Sequence, residues 1–180
     1  MIYFTSDLHA FHKNIIEYDQ LPFKSLEDYR KFIIEVWNST IGGEDEVYML
    51  GDIAVGGTNG QIYEFLTRLN GKKYLIQGNH DHRTIMKCEY LRNCFEWIRW
   101  HHVFDYNKER FHLYHCPIES WFNMSSMKSI HLHGHSHGKC RVIDRRMDVG
   151  FKACNFKIYS IEEIIKKYKN ETKGKNSNIS

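Results

Sequence analysis

Five short motifs hold most of the residues in this chain that could bind a metal ion. They are Asp7-Leu8-His9, Gly51-Asp52, Gly78-Asn79-His80-Asp81, His115 and Gly134-His135-Ser136-His137. Each offers carboxylate, amide or imidazole donors. A D-x-H triplet or a Gly-Asp pair is commonplace alone. All five in this order, each just after a strand-like run, form a specific pattern. Together they hold nearly every residue that a two-metal site would need. Its mixed oxygen and nitrogen donors, with no thiolate, favour Mn²⁺, Fe, Zn²⁺ or similar first-row ions over a soft-metal or cluster site.

Strand geometry explains how such motifs could converge. Successive strand side chains alternate faces, so Asp7 and His9 are expected to point the same way. The run Ile2-Tyr3-Phe4-Thr5 before them is β-branched and aromatic, as a buried strand should be. Val47-Tyr48-Met49-Leu50 precedes Gly51-Asp52 in the same manner, and Lys73-Tyr74-Leu75-Ile76 precedes the Gly78 motif. Ser129-Ile130-His131-Leu132 precedes Gly134-His135-Ser136-His137, where two imidazoles repeat the i, i+2 spacing. Ligand sites of α/β sheets gather at the carboxyl ends of strands, so these strand ends should share one rim. The glycines let the backbone turn sharply and approach a ligand closely.

These motifs resemble the calcineurin-like metallophosphoesterase superfamily, whose pattern is D-x-H, G-D, G-N-H-[DE], a lone His, then G-H-x-H. The resemblance runs from residue 2 to about residue 150. The flanking text (Thr5-Ser6-Asp7-Leu8-His9, Leu50-Gly51-Asp52, His115-Cys116-Pro117) is similar to the small bacterial and phage branch. The resemblance implies that Asp7, His9 and His137 hold one divalent ion, that Asn79, His115 and His135 hold a second, and that Asp52 bridges both. It further implies that His80 faces the substrate without ligating, with Asp81 as its orienting partner. Two ions roughly 3.5–4 Å apart would clamp the attacking and leaving oxygens at phosphorus, and a hydroxide bridging them would be the nucleophile. His80 would hydrogen-bond the phosphoryl oxygens or protonate the leaving alkoxide. One departure stands out. Many relatives carry an acidic residue three positions after the bridging Asp, where this chain has Val55.

The other histidines (His12, His82, His101, His102, His112, His131 and His133) read as surface or core residues, with His82 and His133 flanking motifs. Trp121 and Phe122, soon after His115, are candidates to wall the pocket, ahead of Trp97 and Trp100. Arg83, beside the His80 loop, is a candidate for a second phosphate. Each has an ordinary packing or surface role as its alternative.

The bulk composition suits a compact enzyme. At 180 residues the chain fits one domain with a sizeable core. A net charge of +3 is too weak to argue for nucleic acid by itself. No apolar run approaches the ~20 residues of a membrane helix, and no signal-like segment precedes the first strand-like run. Five scattered cysteines without C-x-x-C read as reduced thiols, and the expected location is cytoplasmic. Helical spacing predicts helices over residues 25–41 and 61–69, and more weakly over 83–91. Residues 95–113 read as strand, with Asn107-Lys108 as a hairpin tip. Arg141-Val142-Ile143 and Met147-Asp148-Val149 read as two late antiparallel strands. Ser160-Ile161-Glu162-Glu163 is a capping box opening a last helix. The expected architecture is α/β, two stacked mixed β-sheets flanked by helices, as one domain over residues 1–169 with a flexible tail over 170–180. The expected activity is hydrolysis of small phosphodiesters or phosphomonoesters. A metal-dependent nuclease is the alternative, and a non-catalytic interaction module on the same fold the third reading. Oligomeric state is left open.

Overall fold

The computed structural model describes residues 1–176. Strand β1 (Ile2–Thr5) is followed by a single helical turn, α1 (Ile15–Tyr18), and by helix α2 (Leu26–Thr40). Ser25 caps α2 by accepting the Asp28 amide, which satisfies one of the helix's orphan N–H groups. Strand β2 (Glu46–Met49) leads to α3 (Asn59–Thr67), opened by a reciprocal capping box of Thr58 and Gln61. Strand β3 (Lys72–Ile76) follows. The segment after it is not the helix expected over 83–91. It forms 3₁₀ turns at Asp81–Arg83 and Ile85–Lys87 and one α-turn, α4 (Glu89–Arg92). Thr84 lies outside the helical region at φ −119° and ψ −84°, so the segment cannot run on as one helix.

Strands β4 (Trp97–Arg99), β5 (His101–Tyr106), β6 (Glu109–Tyr114), β7 (Ser129–His133), β8 (Arg146–Asp148) and β9 (Tyr159–Ser160) complete the sheets. Asn107 and Lys108 form the hairpin tip, both with positive φ, the signature of a type I′ turn. Of the two late strands, only β8 forms, and it pairs parallel to β7. Arg141–Ile143 is irregular, with Val142 92% exposed, because it spans the gap between two parallel strands instead of pairing. The last helix, α5 (Ile161–Asn176), starts with the predicted box, in which Ser160 and Glu163 exchange hydrogen bonds. It runs past residue 169 into the segment read as a tail; residues 177–180 lie outside the described residues.

One sheet has the order β4-β3-β2-β1-β9, parallel except for β9. The other has the order β5-β6-β7-β8, with only the β5–β6 hairpin antiparallel. Period-2 alternation splits the core. Val47 and Met49 face α2 and α3, packing with Ile33, Trp37, Ile62 and Leu66. Phe4, Tyr48, Leu50 and Ile76 face the second sheet, where Phe111, Leu113, Ile130 and Leu132 meet them, with Ile161, Ile164 and Ile165 of α5 in the same cluster. Phe4, Tyr48, Tyr74 and Trp97 sit opposite one another across four strands and pack against Phe104 and His102. Such aromatic pairs add ~0.5–1.5 kcal/mol each beyond burial. Trp97 therefore belongs to the inter-sheet core, not to a pocket wall. No helix among the described residues is long and apolar enough to cross a membrane.

The parallel order decides where chemistry can occur. β1, β2 and β3 end on one edge, and β6 and β7 end on the corresponding edge of the second sheet. The edges are sewn together by the Ser6–Gly150 bridge and by the Phe151 amide, which donates to Ser6 O at 2.8 Å.

Candidate metal centre

All five motifs emerge at this joined edge. Asp7, His9 and His137 form one group of potential ligands, and Asp52, His115 and His135 a second; within each group one donor atom per residue lies within 4.8 Å of the others. Asp52 lies between them. Its Oδ2 is 3.8 Å from His9 Nε2 in the first group and 3.5 Å from His115 Nε2 in the second. Two donors bonded at ~2.1 Å to one tetrahedral ion would stand ~3.4 Å apart. Asn79 joins the second group, with its Oδ1 3.0 Å from His115 Nε2 and 2.9 Å from His135 Nδ1.

Backbone strain marks the site. Asp7 (φ 53°), His9 (45°), Asp52 (56°), His135 (67°) and His137 (49°) all adopt left-handed backbone. Non-glycine residues held there cost of order 1 kcal/mol each and cluster at functional sites. This corrects the strand-alternation argument. Asp7, His9, His135 and His137 lie beyond the last residues of β1 and β7, and left-handed turns, not a pleat, aim them. Two glycines permit the approach. A Cβ on Gly78 would lie 2.3 Å from Asp52 Oδ1, and one on Gly134 1.9 Å from Ser6 Oγ and 2.3 Å from Asp7 Oδ2.

These donors are oriented from behind. Ser6 Oγ donates to Asp7 Oδ2 at 2.7 Å, and the His135 amide donates to the same carboxylate at 2.9 Å. The His80 amide donates to Asp52 Oδ1 at 2.9 Å. His115 Nδ1 lies 2.6 Å from the Leu50 carbonyl, so that nitrogen carries the proton and Nε2 turns its lone pair to the site. His137 Nδ1 lies 2.6 Å from Asp19 Oδ2, which leaves its Nε2 facing Asp7. Both ring nitrogens of His9 are buried without a hydrogen-bond partner. A buried imidazole so orphaned is costly unless something else takes its lone pair. A divalent ion among these donors would do so, and the residues fit one.

Charge follows the same layout. Burial pushes Asp52 up, but the His115 hydrogen bond and charge and the His80 amide outweigh it, and the carboxyl sits below its ordinary range. Burial pulls His115 down, yet with no ion bound Asp52 and Asp7 raise it to about 9, so a metal ion would have to displace the Nε2 proton to take that lone pair. Burial raises Asp19 too, but its bond to His137 more than offsets this and holds it low. His80 is lowered by burial and by His9 and Arg83, against the pull of Asp52. Its ring is 40% exposed, with Nε2 3.9 Å from Asp52 Oδ2. It lies at the mouth of the site, where a neutral imidazole still offers one N–H.

The other expected residues fall differently. Asp81 is fully buried and spends both oxygens on backbone amides: Gly78 (2.8 Å) and Asp52 (3.0 Å) to Oδ2, Ile53 (3.1 Å) to Oδ1. It ties the two ligand loops together, and these contacts, not the His80 ring, are its partners. Burial pushes its carboxyl up to about 6 despite the Gly78 amide, helped by the Asp52 charge. Trp121 is buried on His131 and donates Nε1–H to Ser129 Oγ at 2.9 Å, which is a packing role. Phe122 and Trp100 are exposed. Arg83 is exposed and close enough to depress His80. His82 bonds the Asn79 carbonyl at 2.6 Å, and His133 the Gly134 carbonyl at 2.8 Å.

Three contributors escaped the motifs. Asp19 holds His137. Asp148 accepts from Ser136 Oγ (2.6 Å) and the Gly138 amide (2.8 Å), bracing the last motif. His12 packs beside His9 with the rings tilted by 56°, centroids 5.8 Å apart. Asp19 and Asp148 lie outside any ligand spacing, and only the H-x-x-H spacing of His9 and His12 could have hinted at the third.

Residues 1–173 match the family described as calcineurin-like phosphoesterase. An uncharacterised protein of Methanocaldococcus jannaschii is 30% identical over 173 residues, covering 92% of this chain and 89% of that protein. The gene 66 protein of Mycobacterium phage L5 is 41% identical over 81 residues, 44% of this chain and 39% of the phage protein. Among solved structures, a protein of unknown function from Aquifex aeolicus superposes with a TM-score of 0.74 at 24% identity, covering 92% of this chain and 98% of that one. A novel archaeal phosphodiesterase gives 0.53 at 20% identity, over 89% and 93%. Both structural likenesses bear on the fold.

Proposed function

The chain belongs to the calcineurin-like phosphoesterase family, and from that premise we propose that it is a dinuclear, metal-dependent hydrolase of small phosphodiesters or phosphomonoesters. The observation that supports this most is the Asp52 carboxylate within reach of both groups of potential ligands, beside a buried His9 ring whose nitrogens have no hydrogen-bond partner. Asp7, His9 and His137 would hold one ion, Asn79, His115 and His135 the other, and Asp52 both. When bound, a pair of first-row ions supplies Lewis acidity at phosphorus and a nucleophile drawn from water near neutral pH.

The protein's own part is orientation and proton handling. Leu50 and Asp19 fix the His115 and His137 tautomers, so neither ring has to reorient during turnover. His80, exposed at the mouth and within 3.9 Å of Asp52, would donate its N–H to a phosphoryl oxygen or to the leaving oxygen. Arg83 would add positive charge on the same side.

Chelated protein should be inactive on bis-p-nitrophenyl phosphate and regain activity with Mn²⁺ or a similar ion; full turnover without metal would sink the reading. His80→Gln should keep both metals and lose ~10²–10⁴ in rate on an alkoxide leaving group. The loss should be smaller on p-nitrophenolate, which needs little protonation. Equal losses on both would assign His80 to phosphate positioning.

A further inference from the structure

The sequence pointed to Trp121 and Phe122 as the aromatic wall of the site, but Trp121 is consumed by the packing of the second sheet. The rings that do lead away from the metal centre are others. His80, His9, His12 and Tyr18 form a continuous row, with successive centroids 5.7, 5.8 and 5.6 Å apart. The row begins at the mouth, passes His9 of the first donor group and ends in solvent. Tyr18 is 62% exposed, although it closes a helical turn whose Ile15 is buried. Its hydroxyl is held by Asn14 Nδ2 at 3.4 Å. His12 Nδ1 is buried with no hydrogen-bond partner, so the ring is kept beside His9 by packing, not by a polar anchor. Asp19, the next residue, turns inward to His137. One turn of chain thus supports the candidate metal centre through Asp19 and carries at Tyr18 an exposed ring that reaches His9 through His12.

We propose that His12 and Tyr18 form the subsite for the organic group of the ester, and that the substrates carry a planar aromatic or nucleobase group stacked on Tyr18. Every base and aryl group has a π-face, so such a platform selects planarity without reading hydrogen-bond edges. The inference rests on the phosphoesterase reading for where the phosphorus sits, but its test uses binding, not turnover. Phenylphosphonate and methylphosphonate would be titrated separately into the Mn²⁺-loaded protein by calorimetry. The expected result is tighter binding of phenylphosphonate by about fivefold to a hundredfold, the range that stacking on an aromatic side chain gives. Tyr18→Ala should remove that gap and leave methylphosphonate unchanged, while Tyr18→Phe should keep it. Absence of phenylphosphonate binding, a missing gap in the wild type, or a gap that survives Tyr18→Ala would overturn the proposal. So would a gap removed by Phe122→Ala instead. A gap with the expected Tyr18 dependence, in a protein that turns over no phosphate ester with any metal, would uphold the subsite and sink the hydrolase.

Discussion

Asp19 shows how much of a candidate metal centre lies behind the residues that would ligate. A carboxylate that accepts the far N–H of a ligating imidazole fixes its tautomer and raises its basicity. Asp19→Asn keeps the shape but loses the charge. We predict a ~10–100-fold weaker affinity for the ion held by Asp7, His9 and His137, with the other ion unaffected. Two-phase metal titration of the variant checks this; unchanged affinity in both phases would show the contact to be incidental. Asp81 acts on a different link. Asp81→Asn places an amide donor against a backbone N–H, which should cost ~1–3 kcal/mol in denaturant unfolding. Because its oxygens tether the Asp52 and Gly78 loops and not the His80 ring, leaving-group dependence should stay that of the wild type. A leaving-group effect matching that of His80→Gln would restore Asp81 as an orienting partner.

Among the elements, the β5–β6 hairpin carries a removable strain. A type I′ turn needs positive φ at both central residues, and Lys108 sits there at 68°. Lysine pays for that conformation with a Cβ clash that glycine lacks. Lys108→Gly should therefore stabilise the fold by up to ~1 kcal/mol, part of the relief being offset by glycine's greater freedom in the unfolded chain. Thermal unfolding of the pair of proteins measures it, and a destabilised variant would mean that the Lys108 side chain contributes more than its backbone costs. The ligand loops are the contrasting case. Their left-handed residues include Asp7, His9 and Asp52, so on the proposed function relief of strain there would be lost as metal binding.

At the scale of the whole molecule, a neutral histidine buried in the second sheet should make the fold acid-labile. His131 is fully buried; its Nδ1–H faces the His112 carbonyl at 3.1 Å, and its Nε2 accepts the Ile118 amide at 3.3 Å. Burial, together with His133 and Arg146 and against the His112 carbonyl, lowers its pKa from 6.5 to about 3. Between those values the unfolded chain binds a proton that the folded chain refuses. Stability therefore rises with pH across the window and is lost as pH falls from about 6.5 toward 3, by up to roughly 4–5 kcal/mol for this group. Urea unfolding at pH 7 and pH 4.5 should show a smaller acid loss in His131→Gln than in the wild type; equal losses would remove His131 from the account.

What was legible in the sequence was local. The five motifs, their order and the strand-like run preceding each could be read from residue type and spacing, and the family resemblance assigned candidate ligands among them. So could the helix over residues 25–41, the Ser160 box and the Asn107-Lys108 tip, since each depends on neighbours a few residues away. The α/β sandwich followed from alternating strand and helix patterns together with the family resemblance. Tertiary structure decided whatever depends on distant pairing. Arg141–Ile143 has strand composition but no partner edge. Trp121 follows a ligand closely in sequence, yet the β6–β7 connection folds it onto His131 and away from solvent. Asp19 and His137 are 118 residues apart, and Asp52 and Asp81 are tied by amides 29 residues distant. Side-chain spacing reports which face a residue takes on its own element. Which element then packs against that face is set by sheet order and loop closure, and these leave no periodic trace in the chain.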